Sequence, residues 1–255
     1  MGFREFERRL ERERDSWRFR RKDADDRKTY DGVFDRDNLL RIYKLFSDGV
    51  IDQVDFPIST GKEGNVFRAI RSDGTFLALK IYRTSTATFK EMAKYVHGDP
   101  RFKGVTRNRR KLIYTWASKE FRNLQRLEDA GVRVPSPVSC HKNLIVMEYI
   151  GTESSPAPLM RSVTLEDPEA MARKLLDYVR RAYQKAELVH GDLSEFNVLI
   201  HEGEPVIIDV GQAVLLGHPL AEELLVRDMG NMARYFSKHG VGIDVDAELR
   251  RIRKR

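Results

Sequence analysis

The chain has 255 residues, 41% hydrophobic and 33% charged, with a formal net charge of +7, so it can bury one sizeable core or two small cores joined across a cleft. Cys140 is the only cysteine, which excludes an intramolecular disulfide and a cysteine-cluster metal site and favours a reducing compartment. No run approaches the roughly 18 apolar residues that span a bilayer, and the N-terminus is too charged for a secretory signal, so we expect a cytoplasmic protein without membrane contact.

Residues 1–34 are predicted to form a charged N-terminal arm. Residues 1–30 hold eleven Lys and Arg against eight Asp and Glu, while Phe3, Phe6 and Leu10 are spaced for one helical face. The arm is therefore expected to be helical or disordered. Residues 250–255 add four arginines and one lysine. These basic segments indicate either solvated surface or an acidic partner such as RNA, because clustered arginines can bind phosphates.

A helix and a small antiparallel sheet are predicted next. Asp35 or Asp37 can cap the helix, and Gly49 can end it. Three runs rich in Val, Ile, Phe and Tyr follow, and a Ser-Asp-Gly turn joins the last two. The predicted strands span residues 51–60, 65–70 and 76–82.

Residues 84–111 form a predicted flexible, basic insertion, because so long a connection inside a compact fold is usually functional or mobile. A helix is predicted from Leu112 to Ala130, since apolar residues recur there at spacings of three or four. Glu120 falls on this apolar stripe, where an ionised carboxylate is costly unless it is paired. The pattern therefore predicts a buried or cleft-facing cation as its partner.

Two strands and further helices are predicted in the rest of the chain. The strands span residues 138–141 and 144–150, and Asp167 followed by Pro168 is typical of a helix start. Helices close the chain from about Leu220. This order of elements predicts an α+β fold.

The segment between Leu188 and Val210 carries the clearest chemistry. Asp192 and Asn197 lie five positions apart in one loop, and Asp209 follows twelve positions later, after a Gly-containing turn between two apolar runs. Phosphoryl transfer requires hard oxygen ligands for a metal and a carboxylate that orients the acceptor. We interpret Asp192 as the base or acceptor-orienting carboxylate, and Asn197 and Asp209 as metal ligands.

Candidates for binding the phosphates lie in the first sheet. In STGKEGNVF, which begins at Ser59, Gly61 and Gly64 would let backbone N–H groups approach phosphate oxygens, although a plain hairpin turn has a similar composition. Lys80 lies within LALKIY, where its ammonium is expected to snorkel or to point into a cleft. A strand lysine and a glutamate on the next helix form the pair that positions phosphates in kinases, so we predict a Lys80–Glu120 pair.

The segment IVMEYI is predicted to bind adenine. Met147 occupies a gatekeeper-like position, and the backbone of Glu148 and Ile150 would hydrogen-bond the base. An ordinary strand end is the alternative interpretation of these three residues.

With these residues in place, the chain resembles the RIO family of atypical serine/threonine protein kinases. The resemblance covers roughly residues 35–240 and rests on STGKEGNVF, LALKIYRTS, TWASKEFRNL, VMEYIG followed by PAPL, LVHGDLSEFNVL and IIDVGQAV. Within the family, STGKE and IDVGQ favour the RIO-one subfamily.

The resemblance implies a two-lobed, protein-kinase-like fold. Its N-lobe would span residues 35–150, with a sheet, a helix and the insertion at about 84–111, and its reduced, mostly helical C-lobe would span residues 151–255. It implies ATP with Mg2+, for which Mn2+ could substitute. The implied catalytic residues are Lys80, Asp192 and Asp209, the metal ligands Asn197 and Asp209, and the nucleotide-binding residues Ser59, Lys62, Lys80, Glu120, Met147, Glu148 and Ile150.

The family resemblance also implies a role in maturation of the small ribosomal subunit. The expected partners are ATP, the precursor of that subunit and its rRNA, and the expected state is a monomer. Autophosphorylation is expected, with Thr106 as a candidate site, and Asp209 would also accept phosphate as an aspartyl-phosphate during ATPase turnover. Val-Gly-Gln follows Asp209 where protein kinases have Phe-Gly, and no Ala-Pro-Glu motif is present, so phosphorylation of other proteins is the less expected activity.

Two alternatives remain at this point. Small-molecule phosphotransferases of the aminoglycoside or choline type carry a similar HGDL loop, but usually with a His where this chain has Ser194. A non-enzymatic, RNA-binding pseudokinase scaffold would not need the complete set of catalytic residues that this chain retains.

Overall fold

The computed structural model describes residues 2–20, 34–61, 64–83, 89–97, 99 and 108–254. Contacts divide the chain into two compact units. The first comprises Met1–Lys90, Arg107–Ser118 and Pro137–Tyr149, and the second comprises Glu91–Thr106, Lys119–Ser136 and Ile150–Arg255. No helix in the described part of the chain is long and apolar enough to cross a membrane.

A five-stranded antiparallel sheet forms the centre of the first unit and contains the five strands that the sequence predicted there. Its order is β1-β2-β3-β5-β4, and every neighbouring pair is antiparallel. Together with the helices described below, this sheet confirms the α+β fold class. The strands are β1 Gln53–Thr60, β2 Gly64–Ile70, β3 Phe76–Tyr82, β4 Pro137–His141 and β5 Leu144–Glu148.

Two helices cover this sheet within the first unit. Asp35 caps helix α2 (Arg36–Ser47) by accepting a 2.8 Å hydrogen bond from the backbone N–H of Asn38. Helix α1 (Phe3–Arg20) falls in the segment that the sequence predicted as an arm. Phe6 and Leu10 of α1 are each only 2% exposed and belong to the sheet core. Two apolar residues at helical spacing thus bind α1 to the core despite its high charge.

Two more helices lie between β3 and β4. Helix α3 (Phe89–His97) falls inside the predicted insertion and was not predicted from the sequence. Helix α4 (Arg109–Asp129) confirms the helix expected at 112–130. Of the predicted insertion, residues 84–88, 98 and 100–107, which include Thr106, lie outside the described residues.

The second unit combines helices with short strand pairs. Asp167 caps α5 (Pro168–Gln184) by accepting a hydrogen bond from the backbone N–H of Ala170, and Pro168 occupies the first turn, as predicted. Leu175, Tyr178, Val179 and Ala182 form the buried face of α5. The remaining elements are β6 Leu188–Val189, β7 Val198–His201, β8 Glu204–Ile207, β9 Val214–Leu215, α6 Ala221–Ser237 and α7 Val245–Arg253.

Candidate active site

The loop between β1 and β2 contains the predicted phosphate-binding residues. Ser59 lies at the exposed end of β1, and the backbone N–H of Gly61 donates to the carbonyl of Gly64 at 3.0 Å. A Cβ on Gly64 would lie 2.5 Å from the carbonyl oxygen of Ile81, so glycine is required here for β2 to pair with β3. Lys62 lies outside the described residues. The role of this loop in binding phosphate stays a prediction.

Lys80 and Met147 lie on one face of the sheet. In the β3–β5 register Lys80 pairs with Ile145 and Ala78 pairs with Met147, and alternate residues of a strand share a face. The Lys80 ammonium lies 5.0 Å from the centroid of the Tyr82 ring. Glu148 pairs with Leu77 on the opposite face, which suits a residue expected to act through its backbone.

Glu120 is buried in α4, with 1% of its surface exposed. The structure therefore places Glu120 in the interior, as its position on the apolar stripe predicted. Lys80 belongs to the first unit and Glu120 to the second. Their pairing stays a prediction, as does the adenine contact of Ile150.

The catalytic loop, residues 190–197, brings Asp192 and Asn197 together. The Asn197 amide nitrogen donates to the Asp192 carbonyl oxygen at 2.8 Å and to Asp192 Oδ2 at 3.2 Å. Gln212, which the sequence did not single out, also donates to Asp192 Oδ2 at 3.2 Å. Burial raises the pKa of the Asp192 carboxyl, and the nearby charge of Asp209 raises that pKa further.

Asp209 begins the metal loop, residues 209–213, and only Ile208 separates it from the end of β8. Its backbone is left-handed, with φ 58° and ψ 58°. A non-glycine residue in this region costs energy and is found mainly where the surrounding structure fixes it, often at functional sites. The negative charge of Asp209 raises the pKa of Asp192, so the two carboxylates interact electrostatically.

His190, the first residue of the catalytic loop, contacts the residue that precedes the metal loop. Its Nε2 lies 3.2 Å from the carbonyl oxygen of Ile208, and the backbone N–H of Asp192 donates to its Nδ1 at 3.2 Å. Desolvation lowers the pKa of His190 to about 4, so the ring is neutral at physiological pH. A neutral ring with its proton on Nε2 satisfies both hydrogen bonds.

Asp228 in α6 stabilises the catalytic loop by accepting hydrogen bonds from the loop backbone. This residue was not predicted from the sequence. Its carboxylate accepts hydrogen bonds from the backbone N–H groups of Gly191, at 2.7 Å, and Leu193, at 3.0 Å. Burial raises the pKa of Asp228 to about 7. A signal was present in the sequence, because Asp228 interrupts the apolar stripe formed by Leu224, Leu225 and Met232 just as Glu120 interrupts that of α4.

Two buried side chains of α4 hold the metal loop, and these were also missed. Lys119 Nζ donates to the carbonyl oxygens of Gly211, at 2.6 Å, and Ala213, at 2.5 Å. Asn123 Nδ2 donates to the carbonyl oxygens of Val210, at 2.9 Å, and Ala213, at 3.1 Å. Both side chains are 0% exposed. Together they fix the backbone that immediately follows Asp209.

The chemistry of the donor set fits a magnesium ion. Asn197 and Asp209 offer hard oxygen atoms, which Mg2+ prefers, and Mg2+ usually takes only one or two carboxylates from the protein. Asn197 uses its nitrogen within the loop, while no described residue donates to its Oδ1. A site that Asn197 and Asp209 provide in part, and that phosphate oxygens complete, is the arrangement that suits this ion. Within the described ranges no group of three or more His, Cys, Asp or Glu could hold a metal.

Comparison with known proteins identifies the family. The family model described as RIO domain matches residues 65–249. The RIO-type serine/threonine-protein kinase Rio1 of Haloferax volcanii is 45% identical over 240 residues, which cover 94% of this chain and 82% of that protein. The human serine/threonine-protein kinase RIO1 is 41% identical over 242 residues, covering 93% of this chain but only 43% of the human protein.

A solved structure agrees with these sequence matches. The Rio2 kinase of Chaetomium thermophilum, in a complex described as ADP/Mg2+-phosphoaspartate, superposes with a TM-score of 0.68 and 25% identity, covering 89% of this chain and 68% of that one. The family model, the sequence identities and the fold all indicate a RIO protein. The chain therefore belongs to the RIO family of serine/threonine protein kinases.

Proposed function

We propose that this chain is a Mg2+-dependent enzyme that transfers the γ-phosphoryl group of ATP and hydrolyses ATP, as a member of the RIO-one subfamily. The observation that carries this proposal is the set formed by Asp192, Asn197 and Asp209, two of them joined by hydrogen bonds and two coupled by charge. The bound metal would neutralise phosphate charge. Asn197 and Asp209 would hold it, and Lys80 paired with Glu120 would position the α- and β-phosphates.

Asp192 is proposed to orient the attacking group. The carboxylate receives hydrogen bonds from Asn197 and Gln212, which fix the oxygen that would accept the proton of a hydroxyl or water. The hydrogen bonds that Asp228 accepts from the backbone N–H groups of Gly191 and Leu193, on both sides of Asp192, keep this geometry in place.

Asp209 is proposed to be a phosphate acceptor as well as a metal ligand. A carboxylate oxygen of Asp209 would form a bond to the γ-phosphorus while the bond to the β-phosphate oxygen breaks and ADP leaves. Water would then attack the phosphoaspartate, releasing inorganic phosphate and restoring the carboxylate. The solved Rio2 complex, whose description includes a phosphoaspartate, supports this step for a relative.

The precursor of the small ribosomal subunit and its rRNA are the proposed partners, and the cytoplasm the proposed location. Support comes from the net charge of +7 and from the basic start of α4, where Arg109 and Arg110 are exposed. We expect that replacing Arg107, Arg109 and Arg110 with Ala weakens particle binding and flattens its salt dependence. Binding that does not change would assign these arginines to solvated surface. Arg107 lies outside the described residues.

A single assay tests the proposed activity. ATP labelled at the γ-phosphate is incubated with Mg2+, with and without small-subunit particles, while phosphate release and label transfer to protein are followed. We expect particles to stimulate release with little label on their proteins. Label on this chain that hydroxylamine releases would be the acyl phosphate of Asp209, because hydroxylamine cleaves acyl phosphates, and label that resists it would be autophosphorylation of a hydroxyl, for which Thr106 is the candidate. Asp209→Ala should abolish release and labelling, whereas Asp129→Ala, which removes an exposed carboxylate, should change neither.

The same assay separates the alternatives. A pseudokinase scaffold would release no phosphate above the Asp209→Ala background. Transfer to an aminoglycoside or choline, with none to protein or water, would restore the small-molecule phosphotransferase interpretation, for which membership of the RIO family gives no support. Activity that persists in Asp209→Ala would show that the metal site has been misassigned.

A further inference from the structure

A basic groove lies on the second unit, between α5 and the end of α7. It has a volume of about 620 Å3 and no apolar side chain lines it. The residues that line it are Asp177, Arg180, Arg181, Gln184, Lys185, Arg251 and Lys254. None of these residues has a role in the ATP chemistry proposed above.

Positive charge in the groove exceeds what nearby carboxylates neutralise. Asp177 pairs with both Arg180 and Arg181, and Arg251 pairs with Glu248 at 2.5 Å. Lys185 and Lys254 have no carboxylate within 4 Å among the residues that the structure describes. Five cations thus share two carboxylates, and the ion pairs are exposed enough for an incoming anion to compete with them.

Hydrogen bonds join the two walls of the groove. Gln184, at the end of α5, donates to the carbonyl oxygens of Ile252, at 3.1 Å, and Lys254, at 2.5 Å, which end α7. Arg181 donates to the carbonyl oxygen of Gly131 at 3.0 Å. The opposite face of α5 is buried. The backbone of both walls and the Arg181 side chain are therefore held in place before a ligand arrives, which lowers the entropy cost of binding.

We propose that this groove binds the phosphate backbone of an RNA strand, and the choice of a ribosomal RNA as its source rests on the function proposed above. A protein partner would be expected to insert aromatic or aliphatic anchors, and no apolar side chain lines this groove to receive them. Binding to an anionic membrane usually needs a broad basic surface with apolar residues that insert into the lipid, and a groove does not provide such a surface. Arginine forks bind phosphate oxygens with two hydrogen bonds each, and flexible lysines add further phosphate contacts.

The test uses the full chain without ATP and a fluorescein-labelled single-stranded oligouridylate, with anisotropy measured over a range of salt concentrations. Replacing Lys185 and Lys254 together with Ala should weaken binding roughly tenfold, and should lower the slope of log K against log salt by about 1.4, which corresponds to two lost phosphate contacts. Both lysines are exposed, so the thermal unfolding temperature should stay close to that of the unchanged protein.

A matched control separates local contacts from general charge. Replacing Lys44 and Lys238 with Ala removes the same charge from exposed positions elsewhere and should leave the affinity and the slope nearly unchanged. Equal effects of both double variants would overturn the proposal, as would binding of polyglutamate, or of vesicles rich in phosphatidylserine, that depends on Lys185 and Lys254 more strongly than RNA binding does. Asp209→Ala should still bind the oligouridylate, so failure of the catalytic proposal would remain distinguishable.

Discussion

Lys119 and Asn123, the two buried donors that hold the metal loop, share one acceptor, the carbonyl oxygen of Ala213. In Lys119→Met the Ala213 oxygen keeps its bond from Asn123, and in Asn123→Leu it keeps its bond from Lys119. Only the double variant leaves this buried oxygen without a donor among the described residues. The two substitutions should therefore destabilise the protein by more than the sum of their separate effects.

The size of this coupling follows from the other acceptors. Lys119→Met leaves the Gly211 oxygen without a described donor, but it also removes a buried ammonium, so we expect a loss of about 2 kcal/mol in the free energy of unfolding. Asn123→Leu should cost only about 1 kcal/mol, because the Val210 oxygen keeps a bond from the backbone N–H of Ala213. The double variant should lose about 4 to 5 kcal/mol, which exceeds the sum by about 1 to 2 kcal/mol.

Urea unfolding followed by circular dichroism measures the free energy of unfolding of the unchanged protein, the two single variants and the double variant. The exposed substitution Lys238→Met serves as a control and should stay within about 0.5 kcal/mol of the unchanged protein. ATP turnover should fall in each single variant, since the backbone after Asp209 loses a fixed contact. Additivity within about 0.3 kcal/mol would refute the idea that Lys119 and Asn123 act through one shared carbonyl.

Two further predictions concern ionisable side chains, one buried and one half-buried. The folded-state pKa of Asp228, about 7, lies above its ordinary value of 3.8, so the stability it contributes is full below about pH 4 and is lost as the pH rises through 7, at up to about 1.4 kcal/mol per pH unit. Urea midpoints at pH 5 and pH 8 should show this loss in the unchanged protein and not in Asp228→Asn, and equal pH dependence would contradict it. In the first unit, Arg41 donates to the side-chain oxygens of Asn38 and Asn143 at 2.8 Å and to Tyr114 at 2.7 Å. Arg41→Met should therefore lower the free energy of unfolding by about 2 to 4 kcal/mol, whereas a loss below about 0.5 kcal/mol would show that these bonds add little.

Local patterns made parts of the fold and site predictable. The strands follow from runs of β-branched and aromatic residues, and α5 follows from the Asp167–Pro168 start signal. Asp192 and Asn197 lie in one short loop, so their spacing in the sequence largely determines their spacing in the structure. Asp209 is placed by the short β7–β8 pair that leads to it.

Interactions across long stretches of sequence were not predictable in the same way. Lys119 bonds to the metal loop about ninety positions away, and a lysine is usually a surface residue. Gly64 was interpreted as part of a phosphate loop, yet its close contact with the Ile81 carbonyl is a matter of strand pairing. The charge of α1 favoured an arm, and only the packing of Phe6 and Leu10 shows that the helix belongs to a core.

The division of roles between Asp209 and Asp192 is the central claim, and ATP binding by isothermal titration, with and without Mg2+, tests it most directly. We predict that Asp209→Asn still binds ATP but that Mg2+ no longer strengthens its binding. Asp192→Asn should keep the Mg2+-dependent affinity and lose turnover by a factor of about 100 or more. An Asp209→Asn variant with the same Mg2+-dependent affinity and turnover as the unchanged protein would contradict the account.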